Sequence, residues 1–214
     1  MRRVIQLTEN EGRILVELAL RAIRSKLGED QINLDEIRDP PLNERGMAFV
    51  TVDTMTEGKR ELRGCIGYVE PVAPLKEVVV NAAIAAAFQD PRFPPLAASE
   101  LERIVVEVTV LSEPVKIEVQ DRWTLPFQVK IGEDGLIVQR GIRSGLLLPQ
   151  VPVEYCWDEE TFLAETCLKA GLAPDCWLDD RVTVKKFKGK IFRQKRPGDL
   201  TVEVLVNKAN CGQN

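Results

Sequence analysis

Leu15, Leu18, Ala19, Ala22, Ile23 and Leu27 recur at the spacing of one helical face, which predicts an amphipathic helix. Thr8-Glu9-Asn10-Glu11 marks its start as a capping box, and Gly28 marks its end as a left-handed stop. Residues 29–46 are polar and hold Pro40-Pro41, so a connecting loop is expected there. From Met47 the period shortens to that of a strand. Met47–Val52 and Arg60–Val69 flank a Glu57-Gly58 turn and read as an antiparallel pair. Leu75, Val78, Val79, Ala82, Ala85 and Ala86 then give a small-residue helical face opened by Pro74 and closed before Asp90-Pro91. Leu101–Leu111 alternates, with Ile104, Val106, Val108 and Val110 on one side and Glu107 and Thr109 on the other.

The second half repeats this order. Strands are expected at Asp134–Arg140 and Ile142–Leu148, a helix from Asp158-Glu159-Glu160 to Gly171, and a last strand from Val182. Strand, strand, helix, proline-bearing turn and strand thus occur twice, in halves at about 47–111 and about 127–194. Leu75 and Phe162 fall in corresponding helices, as an ancient duplication would place them. The expected fold is α+β: an antiparallel, barrel-like sheet with helices packed outside, in two lobes. Residues 1–214 are expected to form one domain with a core at about 8–195.

At 44% apolar and 29% charged over 214 residues, the chain is ordinary globular material that needs no disulfide or metal to fold. Met1-Arg2-Arg3-Val4-Ile5 opens like an export signal, but Glu9, Glu11, Arg13, Glu17 and Arg21 interrupt the apolar run. With no apolar stretch of membrane-spanning length, a soluble, cytoplasmic protein is expected. Cysteines at 65, 156, 167, 176 and 211 are odd in number and irregularly spaced, which predicts reduced thiols. Histidine is absent. That excludes a Ser-His-Asp triad, a Cys-His dyad and His-based metal sites. A net charge of -4 argues against broad attraction to phosphate polymers.

The candidate site is Arg63-Gly64-Cys65-Ile66-Gly67. Arg63 and Cys65 are two apart on a strand, so both are expected on one face with Leu62, Gly64 and Ile66 on the other. The guanidinium would lower the thiol pKa, and Gly64 and Gly67 would admit a ligand or another backbone segment. A packed strand cysteine is the plain alternative, and the two readings weigh about evenly. Asp90-Pro91-Arg92-Phe93-Pro94-Pro95 is stiff and could form a second wall, or simply end the helix. A catalytic version makes Cys65 the nucleophile, Arg63 its stabiliser, and Asp90 or Glu107 a proton carrier. It ranks second, behind binding, because no imidazole is available as base.

Cys167 is read as core and Cys176 as a loop residue. Lys185–Arg196 carries seven basic residues and two aromatics, fitting either a nucleic-acid-facing strand or a lysine-protected edge, and the acidic whole favours the edge. Gly132-Glu133-Asp134-Gly135 reads as a hairpin turn, and no phosphate-binding glycine motif occurs. No metal site and no cofactor are expected.

Leu62-Arg63-Gly64-Cys65-Ile66-Gly67 resembles the signature of the AMMECR-type domain family. Asp90–Pro95, Asp134–Val138, Gly145–Val151, Trp157-Asp158 with Phe162, and Lys169-Ala170-Gly171 are similar to further blocks of that family, in order. The resemblance implies a two-lobed α+β fold with a repeated unit. It implies a groove at Arg63–Gly67, and in this sequence Gly64, Ile66, Gly67, Asp90, Arg92, Phe93 and Glu107 are the residues expected to meet a small ligand or peptide there. It also implies the company of Memo-type and radical-SAM proteins, hence RNA, nucleotide or protein modification, although no activity is established for the family.

Overall fold

A computed structural model describes residues 7–199 and 202–205. Residues 1–6 and Cys211, on which two of the expectations above fall, lie outside the described residues. The chain divides into two compact units: residues 5–111 with 190–205, and residues 112–189.

In the larger unit, α1 (Glu9–Lys26) begins on the expected capping box and is followed by Gly28 at φ +82°. The proposed loop holds more structure than its composition suggested. Pro40, whose fixed φ suits a helix start, opens a single turn, α2 (Pro40–Asn43). β1 (Met47–Thr56) and β2 (Lys59–Tyr68) form the hairpin, and α3 (Leu75–Phe88) follows. A 3-10 helix at Ala98–Arg103 leads into β3 (Ile104–Leu111), which pairs with β1, so β2 is an edge strand. Ala48, Val50, Val52, Val106 and Val108 face the core that α1 and α3 cover. On the opposite face Glu107 and Thr109 are buried too.

The smaller unit contains β4 (Val115–Lys116), β5 (Asp134–Arg140), β6 (Arg143–Leu147), the short α4 (Val151–Glu154) and α5 (Glu159–Lys169). β7 (Thr183–Gln194) gives its first part to this unit and residues 190–194 to the other, where β8 (Val202–Leu205) pairs with it. Leu136, Val138, Phe162, Leu163 and Val184 make the core. The repeated order predicted from sequence is present, with the same pairing. In each case the strand after the helix joins the first strand of the hairpin: β3 joins β1, and β7 joins β5. Val52, Gly64 and Val106 align across three strands in one unit, as Val138, Gly145 and Val184 do in the other.

The cysteine expectation is corrected. The end of α5 and the following 3-10 helix bring Cys167 and Cys176 to a Cα separation of 5.9 Å, within bonding range, and the two form a disulfide. Cys156 is also disulfide-bonded. The Cys167–Cys176 link closes a loop of nine residues, so its loss should remove about 2.5 kcal/mol by the loop-entropy estimate. Urea unfolding of the Cys167→Ser, Cys176→Ser double variant checks this, and a midpoint equal to the parent's would refute it.

Among the described residues, no helix is long and apolar enough to cross a membrane.

Candidate functional site

Cys65 lies on β2 opposite Thr51, and Thr51 lies opposite Glu107 of β3. The three therefore form one row across three strands, on the face turned away from α1 and α3. Cys65 is half-buried and is the free thiol among the described residues. The Thr51 hydroxyl donates to Cys65 Sγ at 3.3 Å. Glu107 is held by the Arg193 guanidinium of β7, whose Nε donates to it at 2.6 Å. Asp53, two residues beyond Thr51, shares this face. Sequence reasoning passed over it, although Asp53 lies two positions from Thr51 in a strand-like run and so falls on the same side.

Arg63 is not where strand geometry alone put it. The register slips between Val52 and Asp53, so that Leu62 stands opposite Asp53 and Arg63 is left as the extra residue of a bulge. Its guanidinium pairs with Glu100, Nε to Oε1 at 2.7 Å, instead of sitting beside the thiol. The positive neighbour of Cys65 is Arg92. Phe93 lies near both guanidiniums, 6.0 Å from Arg63 and 5.4 Å from Arg92, within cation–π range.

The Asp90–Pro95 segment does form a second wall. Asp90, almost fully buried, accepts the Cys65 N–H at 2.9 Å and is gripped by Arg92 through Nε and Nη2. Arg92 Nη2 also donates to the Cys65 carbonyl at 3.4 Å. The loop thus takes the place of a neighbouring strand and satisfies the open edge of β2 at this residue. The Arg92 guanidinium and the Cys65 N–H hold the Asp90 carboxyl far below the usual carboxylate range.

The glycines have packing reasons. A Cβ on Gly64 would sit 2.0 Å from the Ala86 carbonyl oxygen of α3, and one on Gly67 would enter the Phe49 ring. Of the two guests left open for Gly64, the one found is a backbone segment. Ile66 packs against the core of the larger unit.

The electrostatics also depart from expectation. Burial raises the Cys65 thiol pKa above its ordinary value, helped by Glu107 and Asp90, while the Thr51 hydrogen bond and Arg92 oppose the shift. Asp53 is pushed up to about 6 by burial and then by the charge of Glu107, with Arg193 and Arg60 pulling the other way. Among the described residues, no group of His, Cys, Asp and Glu could hold a metal ion. In the basic strand, Lys186 donates to the Gln128 carbonyl, Lys188 pairs with Glu133 and Asp134, and Lys190 donates to the Leu7 carbonyl.

The AMMECR1 family model matches residues 16–192. A protein of Saccharolobus islandicus is 59% identical over 203 residues, 94% of this chain and 89% of its own length. A protein of Sulfurisphaera tokodaii is 60% identical over 207 residues, 94% of this chain and 90% of its own. The crystal structure of an uncharacterized protein from Pyrococcus horikoshii superposes with a TM-score of 0.87 at 46% identity, covering 94% of this chain and 98% of that one. A match over this much of the chain, together with relatives of such identity, makes the chain a member of the AMMECR1 family.

Proposed function

We propose that the chain is a ligand- or partner-binding module of a modification system, with the Cys65 face of β2 as its site. The observation that carries this reading is the state of the thiol. Burial keeps it protonated at neutral pH, and the Thr51 hydroxyl contacts it as a hydrogen-bond partner, not as a base. Asp90 and Glu107, the two carboxylates first considered as proton carriers, are engaged by Arg92 and Arg193. Cys65 then serves as a weak donor on a polar sheet face that it shares with Thr51, Asp53 and Glu107. The runner-up remains a thiolate nucleophile, for which Asp53 is the better proton carrier because its pKa of about 6 lies near the working range. A nucleic-acid surface along β7 is disfavoured by the internal partners of Lys186, Lys188 and Lys190.

Iodoacetamide alkylation followed against pH separates the two. Binding predicts slow reaction in the native state with a midpoint above the ~8.5 of a free thiol, and a return to ~8.5 in denaturant. A native midpoint below about 8 would overturn the binding reading in favour of nucleophilic chemistry.

A further inference from the structure

The smaller unit carries an aromatic pair that its core only half uses. Trp157 packs against the hydrophobic cluster of that unit, while Tyr155 stands outside it, 65% exposed. The two rings are stacked, with centroids 5.0 Å apart and planes 18° from parallel. One face of Tyr155 is therefore covered by Trp157, and the other is turned to water. Cys156 between them holds φ at +53°, a backbone conformation rare for a residue with a Cβ, and its disulfide bond fixes the turn further. The stack is thus held in place before anything binds.

The chain beside the stack is negative. Asp158, Glu159 and Glu160 follow Trp157 directly, and no basic residue occurs between Arg143 and Lys169. Both of those cations stand at the other end of α5, Lys169 in its last turn and Arg143 donating to the Gly171 carbonyl. The helix is 11 residues long, so that end is about 16 Å away. Thr161 holds the Asp158 carboxyl below its ordinary value by hydrogen bonding, and no cation takes part. The positive end of the helix offsets only about half of one unit charge, so most of the three remains.

We propose that the open face of Tyr155 and these three acids form a docking patch for an arginine-bearing segment of a partner protein. Tyr155 belongs to the smaller unit and Cys65 to the larger, so this patch does not depend on the reading of the Cys65 face. The face of an aromatic ring is negative, and a guanidinium lies flat on it while its N–H groups stay free for carboxylates at the edge. An ammonium has no plane to stack. An uncharged segment would leave the acids unanswered, and a nucleic acid would be repelled by them.

The test follows the indole N–H signals of the three tryptophans in a proton–nitrogen correlation spectrum while a short acetylated peptide with two arginines is added. Trp157→Phe assigns the relevant signal. It should shift and saturate with a dissociation constant of about 1 mM or tighter, and the binding should weaken as salt is raised. Tyr155→Ala should weaken it at least about threefold while Tyr155→Phe keeps it, and the Glu159→Gln, Glu160→Gln double variant should weaken it by a similar factor. The same peptide with citrulline in place of arginine should give no shift. No Trp157 shift with the arginine peptide, an equal shift with the citrulline peptide, or unchanged binding by Tyr155→Ala and the double variant would overturn the patch. A Trp157 signal that moves with protein concentration alone would assign the surface to a second copy and overturn it as well.

Discussion

Gly64→Ala is expected to destabilise the protein by about 3 kcal/mol or more, lowering its melting temperature by roughly 10 °C or preventing soluble expression. The new methyl would lie 2.0 Å from a backbone oxygen and 2.9 Å from the carbonyl carbon of Ala86. No side chain can rotate away, so β2 must leave α3 or α3 must shift on the sheet. Gly58→Ala is the control. That glycine has a positive φ of 80° and nothing within 4 Å, so its substitution should cost only about 1 kcal/mol. Gly145→Ala should match the severe case, because its Cβ would meet the Ala170 backbone nitrogen at 2.4 Å. Thermal and urea unfolding of the three variants provide the check, and a Gly64→Ala protein within 0.5 kcal/mol of the parent would show that the helix does not press on the strand as described.

Asp90→Ala is the second large effect, at about 3 kcal/mol. The substitution orphans the Cys65 N–H and releases Arg92, whose side chain is 51% exposed and regains water, so the loss falls below that of a fully buried pair. It also unties the β2 edge, so Cys65 should alkylate faster in this variant than in the parent. The pH dependence has a definite sign. The folded-state pKa of Asp90 lies below the unfolded value of 3.8, so its contribution is complete above that value and is lost as pH falls beneath it. Asp53 behaves oppositely. Its folded pKa of about 6 exceeds 3.8, so its ionisation weakens the fold as pH rises through that window. Unfolding free energies of Asp90→Ala and Asp53→Asn at about pH 3 and about pH 7 should therefore differ from the parent in opposite directions at the higher pH. Equal effects at both pH values would contradict the assigned environments.

Much of this architecture was legible in advance because the local signals agreed. The box at Thr8–Glu11, the stop at Gly28, the strand-like period from Met47 and the alternation in β3 all pointed to the elements found. The site was legible as a place but not as a mechanism. A one-residue bulge is invisible to a period-two argument, and it sends Arg63 to Glu100 while Arg92, 27 positions from Cys65, reaches the cysteine backbone. Burial of the second sheet face was equally hidden, since polar residues such as Glu107 and Thr109 on an alternating strand do not announce a covered face. The disulfide escaped because nine residues of helix end and turn carry no spacing that announces a Cα separation of 5.9 Å.

The shared register of the two hairpins gives the molecule a built-in blank. Where one carries Cys65, Thr51 and Glu107, the other has Leu146, Ile137 and Lys185 at the equivalent ladder positions. The supporting scaffold, a glycine pressed under a helix beside two valines, is kept in both. Selection on folding alone would constrain the two triplets alike. Transplanting Thr, Cys and Glu into the silent copy asks whether three side chains suffice to confer whatever the first copy recognises, or whether the Asp90–Phe93 wall must travel with them.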